Sequence, residues 1–110
     1  MQKSLFAQYF EERENKVVLE NEHGFVMVVI AKIFWIEHIF VKKESRGNDH
    51  AHFFEQWCIQ LAKEKGFSEV FGSVSIRTQG SEFSLKMMLD HGYKLHSISG
   101  DLIFLKKAVE

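Results

Sequence analysis

Glu37 is the first residue in this sequence whose setting suggests chemistry. It interrupts the apolar run from Ile33 to Val41, where an ionised carboxylate is costly unless it is paired. A carboxylate so placed can take a proton from a bound molecule, or it can simply reach solvent. The second candidate is the basic stretch Lys42, Lys43 and Arg46, followed by Gly47. It lies between a strand-like run and a helix-like one. The leading N–H groups of a helix have no internal partner, and the helix dipole favours an anion there. Such a loop suits a phosphate, although the same residues also make an ordinary solvated loop. Asp49-His50-x-His52 carries metal-ligand side chains. Consecutive residues at a helix start diverge, and no fourth ligand stands at a useful spacing, so no metal site is expected. Cys58 falls on an apolar helix face without a base in reach and reads as core. His38 follows Glu37 and points to the opposite face, as a satisfied histidine. Met87 and Met88 read as packing.

The elements that would position these groups follow from periodicity. Ser4 to Glu14 reads as a helix with Leu5, Phe6, Tyr9 and Phe10 on one stripe and Ser4 as its cap; an edge strand competes. Lys16–Glu20 and Phe25–Ala31 read as strands. Between them Asn21-Glu22-His23-Gly24 forms a turn, with Gly24 at positive φ. Ala31-Lys32 turns tightly into a third strand, Ile33–Val41. From Asp49 the period becomes helical: Phe54, Trp57, Cys58 and Leu61 face inward, and Glu55, Gln56, Lys63 and Glu64 outward. Gly66 ends that helix. A strand over Glu69–Ile76 follows. A helix capped by Ser81 then buries Leu85, Met88 and Leu89 and stops at Gly92. A last hairpin pairs Tyr93–Ile98 with Asp101–Lys106. Short connections make the first three strands antiparallel, and the long helix is a crossover that makes Ile33–Val41 parallel to Glu69–Ile76. The fold class is therefore α/β (α+β): a mixed, mostly antiparallel sheet with helices on both faces. Residues 1–110 form a single domain, since no repeat, linker or low-complexity tract divides them.

Composition narrows the functional classes. At 45% hydrophobic and 26% charged residues, the chain is expected to fold and not to be disordered. A net charge of −1 gives no electrostatic case for nucleic acid. The apolar runs are too short to span a bilayer, and no signal peptide is expected. One cysteine excludes an internal disulfide, which suits the cytoplasm.

A family resemblance rests on the residues already quoted. Glu37-His38-Ile39-Phe40-Val41, then Arg46-Gly47 and Ala51, resemble the coenzyme A-binding segment of the GNAT superfamily of N-acetyltransferases. In that family an acidic-apolar strand leads into a loop reading R-G-x-G-x-G/A. Asp49 departs from it, standing where the family usually has Gly. Downstream the family reads N-x-x-A-x-x-x-Y-x-x-x-G-F. Aligned on Gly92-Tyr93, this chain has Ser81, Ser84 and Met88 at the Asn, Ala and Tyr positions. The resemblance covers roughly residues 16 to 107.

It implies a GNAT-like sheet whose parallel strands splay apart, with acetyl-CoA as co-substrate in the gap. The backbone of Ile39, Phe40 and Val41 would pair with the pantetheine arm. Arg46 and the N–H groups of Gly47, Asn48, Asp49, His50, Ala51 and His52 would hold the pyrophosphate. The cofactor contacts would extend to Ser81 and Ser84. Glu37 would be the catalytic base; the polyamine-acetylating branch also carries an acidic residue there. The usual Tyr acid is absent at Met88, leaving solvent or Tyr93 to protonate the thiolate. Asp49 would weaken the phosphate site unless it turns outward as a helix cap. The family's first strand and first helix are missing or reduced. The implied activity is acetyl transfer to a primary amine of a small molecule or protein. The alternative is a catalytically silent GNAT-like module that binds a protein partner or only CoA. The acceptor is not legible, and the oligomeric state stays open, a homodimer among the options.

Overall fold

The computed structural model describes residues 3–110. Helix α1, Leu5–Arg13, is capped by Ser4, whose Oγ accepts a hydrogen bond from the Ala7 N–H at 3.1 Å. The expected stripe is not what this helix buries. Ala7 is buried against Val18 and Met27, and Phe10 packs beside them, while Leu5, Phe6 and Tyr9 stay exposed. The small Ala7 side chain sets the line of close approach, so the bulky residues lie to either side of the contact.

Strands β1 (Lys16–Asn21), β2 (Gly24–Ile30) and β3 (Phe34–Val41) form an antiparallel meander. Asn21 makes the first turn. Its Oδ1 accepts from the N–H groups of His23 at 2.7 Å and Gly24 at 3.2 Å. Gly24 is not at positive φ, contrary to expectation. It is needed because a Cβ there would lie 1.9 Å from the Phe40 carbonyl oxygen on the neighbouring strand. Between β2 and β3 the register shifts: Met27 faces His38 and Val28 faces Ile36. Glu37 is the extra residue of this bulge, a device that re-aims a side chain.

A 3₁₀ turn, Lys43–Ser45, leads to α2, His50–Glu64. Phe54, Cys58, Ile59 and Ala62 of α2 bury against Val26, Val28, Phe34 and Ile36, with Trp57 and Leu61 half-buried at the margins. Glu55 is a correction to the expected outward face: it is buried. Gly66, at φ +86, ends the helix as expected, with the Phe67 N–H bonded to the Ala62 carbonyl.

Strand β4, Glu69–Ser75, runs parallel to β3 but pairs with it only at Trp35–Phe71 and Ile36–Gly72. Helix α3, Ser81–Asp90, packs on the same core as α2 through Leu85 and Met88. None of its residues is fully buried, and Leu89, expected inside, is about half exposed. Its N-cap is Gly80 at φ +84, one residue before Ser81, the expected cap. Strands β5 (Lys94–Ser99) and β6 (Leu102–Ala108) close a six-stranded sheet of order β1-β2-β3-β4-β6-β5. Alternate residues of β1 and β2 serve the two cores, so α1 covers one face and α2 and α3 the other. Among the described residues, no helix is long and apolar enough to cross a membrane.

Candidate functional site

The parting of β3 from β4 creates the site. Beyond Ile36, β3 keeps β2 on one side through Val41 and has no strand partner on the other. The gap opens into a cleft of about 1010 Å³. Glu37, Ile39, Phe40 and Val41 supply one wall, and Arg46, Gly47, Asp49, His50, Ala51 and His52 the end where α2 begins. Gly72 to Val74 of β4 and Ser84 and Met88 of α3 form the opposite wall. Two of the expected site residues are not in this lining. Asn48 turns its side-chain amide toward the Ser45 carbonyl at 3.4 Å and keeps its backbone N–H in the loop, and Ser81 lines an adjoining groove that shares Phe83 with the cleft.

The loop into α2 leaves a run of backbone donors free. The backbone N–H groups from Gly47 to His52 find no acceptor among the described residues; the first helical bond runs from Phe53 N–H to the Asp49 carbonyl. Gly47 stands at φ +87 and Asp49 at φ +62. The second value lies in the left-handed region that favours Gly. Asp is among the few other residues that visit this region routinely. Asp49 makes no side-chain capping bond, so its expected role as a cap is not seen. The loop is pinned from the side. His23 from the β1–β2 turn lies 2.9 Å by Nδ1 from the Oγ of buried Ser45 and stacks on His50 at 3.8 Å between ring centroids. Arg46 folds back, its Nε donating to the Val41 carbonyl at 2.9 Å and its guanidinium 5.8 Å from the Phe40 ring. Nothing in the sequence signals the His23–Ser45 contact, which joins residues 22 apart.

Glu37 lines the cleft, but its carboxylate is also engaged. Oε1 lies 2.7 Å from Lys16 Nζ, and that ammonium sits 5.8 Å from the Phe10 ring on the α1 side. Met88 reaches across the cleft to β4: a Cβ on Gly72 would lie 2.4 Å from Met88 Cε, so a side chain there would displace the flexible end of Met88. Burial first, then the facing Glu55 carboxylate, push the pKa of Tyr93 far above the usual phenol value, which disfavours it as a proton donor.

Beside Met88 and Tyr93, lining the same cleft, lies a cluster missed in the sequence. Glu55 Oε1 is 3.8 Å from His52 Nδ1, 3.9 Å from His91 Nδ1 and 3.9 Å from Lys107 Nζ. The signal was the i, i+3 spacing of His52 and Glu55. Cys58 lies nearby, buried as expected. Burial, then Glu55, push its thiol up to about 12. At pH 8 the native thiol should therefore alkylate with iodoacetamide about 10³-fold more slowly than in the unfolded chain. Mass spectrometry before and after denaturation reads this directly; equal rates would contradict the burial.

A mostly antiparallel sheet with one parallel pair, parted over a cleft that ends at a helix start, is the fold of the GNAT superfamily of acetyltransferases. The chain has that fold. Solved structures similar to it include PaiA N-acetyltransferase from Thermoplasma acidophilum in complex with coenzyme A, at 17% identity and a TM-score of 0.66 over 78% of this chain and 53% of that one. A GNAT-family protein from Desulfovibrio desulfuricans gives 10% and 0.71, over 84% of this chain and 66% of that one. Nourseothricin acetyltransferase gives 18% and 0.62, over 80% and 58%. The chain thus spans between half and two thirds of the length of these structures. No protein-family model matches the sequence, and no curated protein does.

Proposed function

We propose that the cleft binds acetyl-CoA and that the chain transfers the acetyl group to a primary amine of a small molecule or protein. The observation that carries this reading is one continuous track. The unpaired edge of Ile39–Val41 leads into backbone N–H groups, from Gly47 to His52, that have no acceptor in the protein. An extended chain ending in a pyrophosphate has complementary groups for both parts: strand-like pairing along the edge, then charge and hydrogen bonds at the helix start. Arg46 stands beside the track and would swing from Val41 toward the phosphates. Asp49 is the one group on it with the wrong charge.

When bound, the thioester supplies an activated acyl carbon; amine nitrogen attacks it and the C–S bond breaks. The protein's own part is to align the thioester along β3 and to remove the ammonium proton. Glu37 is the residue assigned to that removal. Solvent protonates the departing thiolate, because Met88 has no proton to give and Tyr93 is disfavoured as a donor. The same two facts, together with the Lys16 clamp on Glu37, favour the second reading: a module that binds CoA or a protein without turnover. Calorimetric titration with acetyl-CoA tests the proposal. One-to-one binding is expected, and its absence would remove the cofactor reading. Binding without thiol release across a panel of primary amines would select the silent module.

A further inference from the structure

We propose that His52, Glu55 and His91 form a site for a divalent transition-metal cation of the zinc type. One ligand atom from each lies within 4.8 Å of the other two. His52 and Glu55 sit one turn apart on α2, and His91 follows the end of α3, so the site joins two elements that the sequence keeps far apart. The second observation concerns Glu55 alone. Its side chain is only 9% exposed, and its Oε1 is buried without a well-formed hydrogen bond among the described residues, with the Tyr93 hydroxyl as an uncharged donor group beside it. A buried carboxylate oxygen in that state costs free energy unless something with positive charge completes it. The two imidazoles point nitrogen atoms at that same oxygen, and neutral imidazole nitrogen with carboxylate oxygen is a zinc donor set.

The geometry needs a modest adjustment. Bonds of about 2.0–2.1 Å in a tetrahedron place ligand atoms roughly 3.4 Å apart, against the 3.8 and 3.9 Å seen from Glu55 to the two histidines. His52 and His91 are both exposed and free to rotate inward, whereas Glu55 is fixed by α2 packing. All three residues line the cleft, so the open fourth position faces solvent there and takes a water or an anion. Lys107 is the competitor. Its ammonium is 3.9 Å from the same Glu55 oxygen and 5.5 Å from the Tyr93 ring. It must swing away when the metal enters, and its flexible stem permits this. The site does not depend on acetyl-CoA binding. Its structural effect is specific: α3 buries no residue of its own, and the ion would tie its C-terminal end to α2.

The test uses the full chain, free of any polyhistidine tag, titrated with Co²⁺ and then with Zn²⁺. The expected result is one equivalent of Co²⁺ giving visible d–d bands of a tetrahedral site, bleached by one equivalent of Zn²⁺, with a rise in melting temperature. His91→Gln and His52→Gln, both at exposed positions, should each lower the affinity at least tenfold with an unchanged circular dichroism spectrum. Lys107→Met should tighten binding. Absence of a d–d band with the wild-type chain, or a band that survives in both histidine variants, would overturn the site.

Discussion

Asp49→Gly is expected to tighten acetyl-CoA binding by between about fivefold and about 10³-fold. The range follows from Coulomb's law for a carboxylate about 4 Å from one phosphate charge. The repulsion is ~1 kcal/mol with bulk-water screening and ~4 kcal/mol at an effective dielectric of about 20. Asp49 is exposed, so the value should fall with added salt as the Debye length shortens. A second effect is conformational. At φ +62 a glycine adopts this backbone without steric cost, although it also leaves the free loop more conformations to lose. Asp49→Asn separates the two contributions. It removes the charge but keeps a side chain that tolerates this backbone region. Calorimetry on the three proteins at two ionic strengths checks the argument. If glycine leaves the affinity unchanged or weaker, Asp49 is no obstacle or the pyrophosphate does not sit at this helix start.

Glu37→Gln should lower kcat by roughly 10²–10³ while leaving acetyl-CoA affinity nearly unchanged. An amine with a pKa near about 10 is almost wholly protonated at pH 7, so a base must act before attack. General-base catalysis typically contributes about 10²–10⁴. Gln fills the same space on the bulge, so the loss is of proton transfer and not of shape. The Lys16 contact adds a control. Glu37 reaches Lys16 at 2.7 Å across to β1, so Glu37→Gln strands an ammonium whose side chain is 20% exposed. Some stability will be lost on that account. Rates should therefore be compared well below the melting temperature of the variant. Lys16→Met tests the assignment from the other side, since it frees the carboxylate without touching the base. Met88→Tyr should raise kcat by restoring a proton donor on the cleft wall facing Gly72. Wild-type turnover in Glu37→Gln would end the assignment of Glu37 as base.

The strand meander, the crossover helix and the parallel pair were legible because each has a strong local cause. Period-two apolar runs, short turns and the i, i+3, i+4 stripe of α2 all act within a few residues. What escaped was set by distance. Ala7 displaces Phe6 and Tyr9 from the α1 contact because of what faces the helix, which periodicity cannot see. Gly24 looked like a turn glycine, yet its constraint is the Phe40 carbonyl on another strand. Glu55 read as solvent-facing from its polarity; only the approach of α3 and β6 covers it. In the cleft, the resemblance marked Ile39 to Val41 and the α2 start, and the structure brings these to one place. It also shows a Lys16 partner for Glu37 that spacing along the chain does not reveal.

The seam between β3 and β4 has a further consequence, for motion. The sheet is continuous there through only two residue pairs, Trp35–Phe71 and Ile36–Gly72. On one side stands a meander of neighbours in sequence, and on the other a hairpin with β4 laid along β6 over its whole length. Local opening therefore has a natural dividing line, and amide exchange should sort the backbone into two cooperative units that meet at Ile36. Helix α2, packed on β2, β3 and β4, is the element shared by both units. A rod bound along the seam would fasten the two halves, so the same gap that admits a ligand also lets it act as a splint.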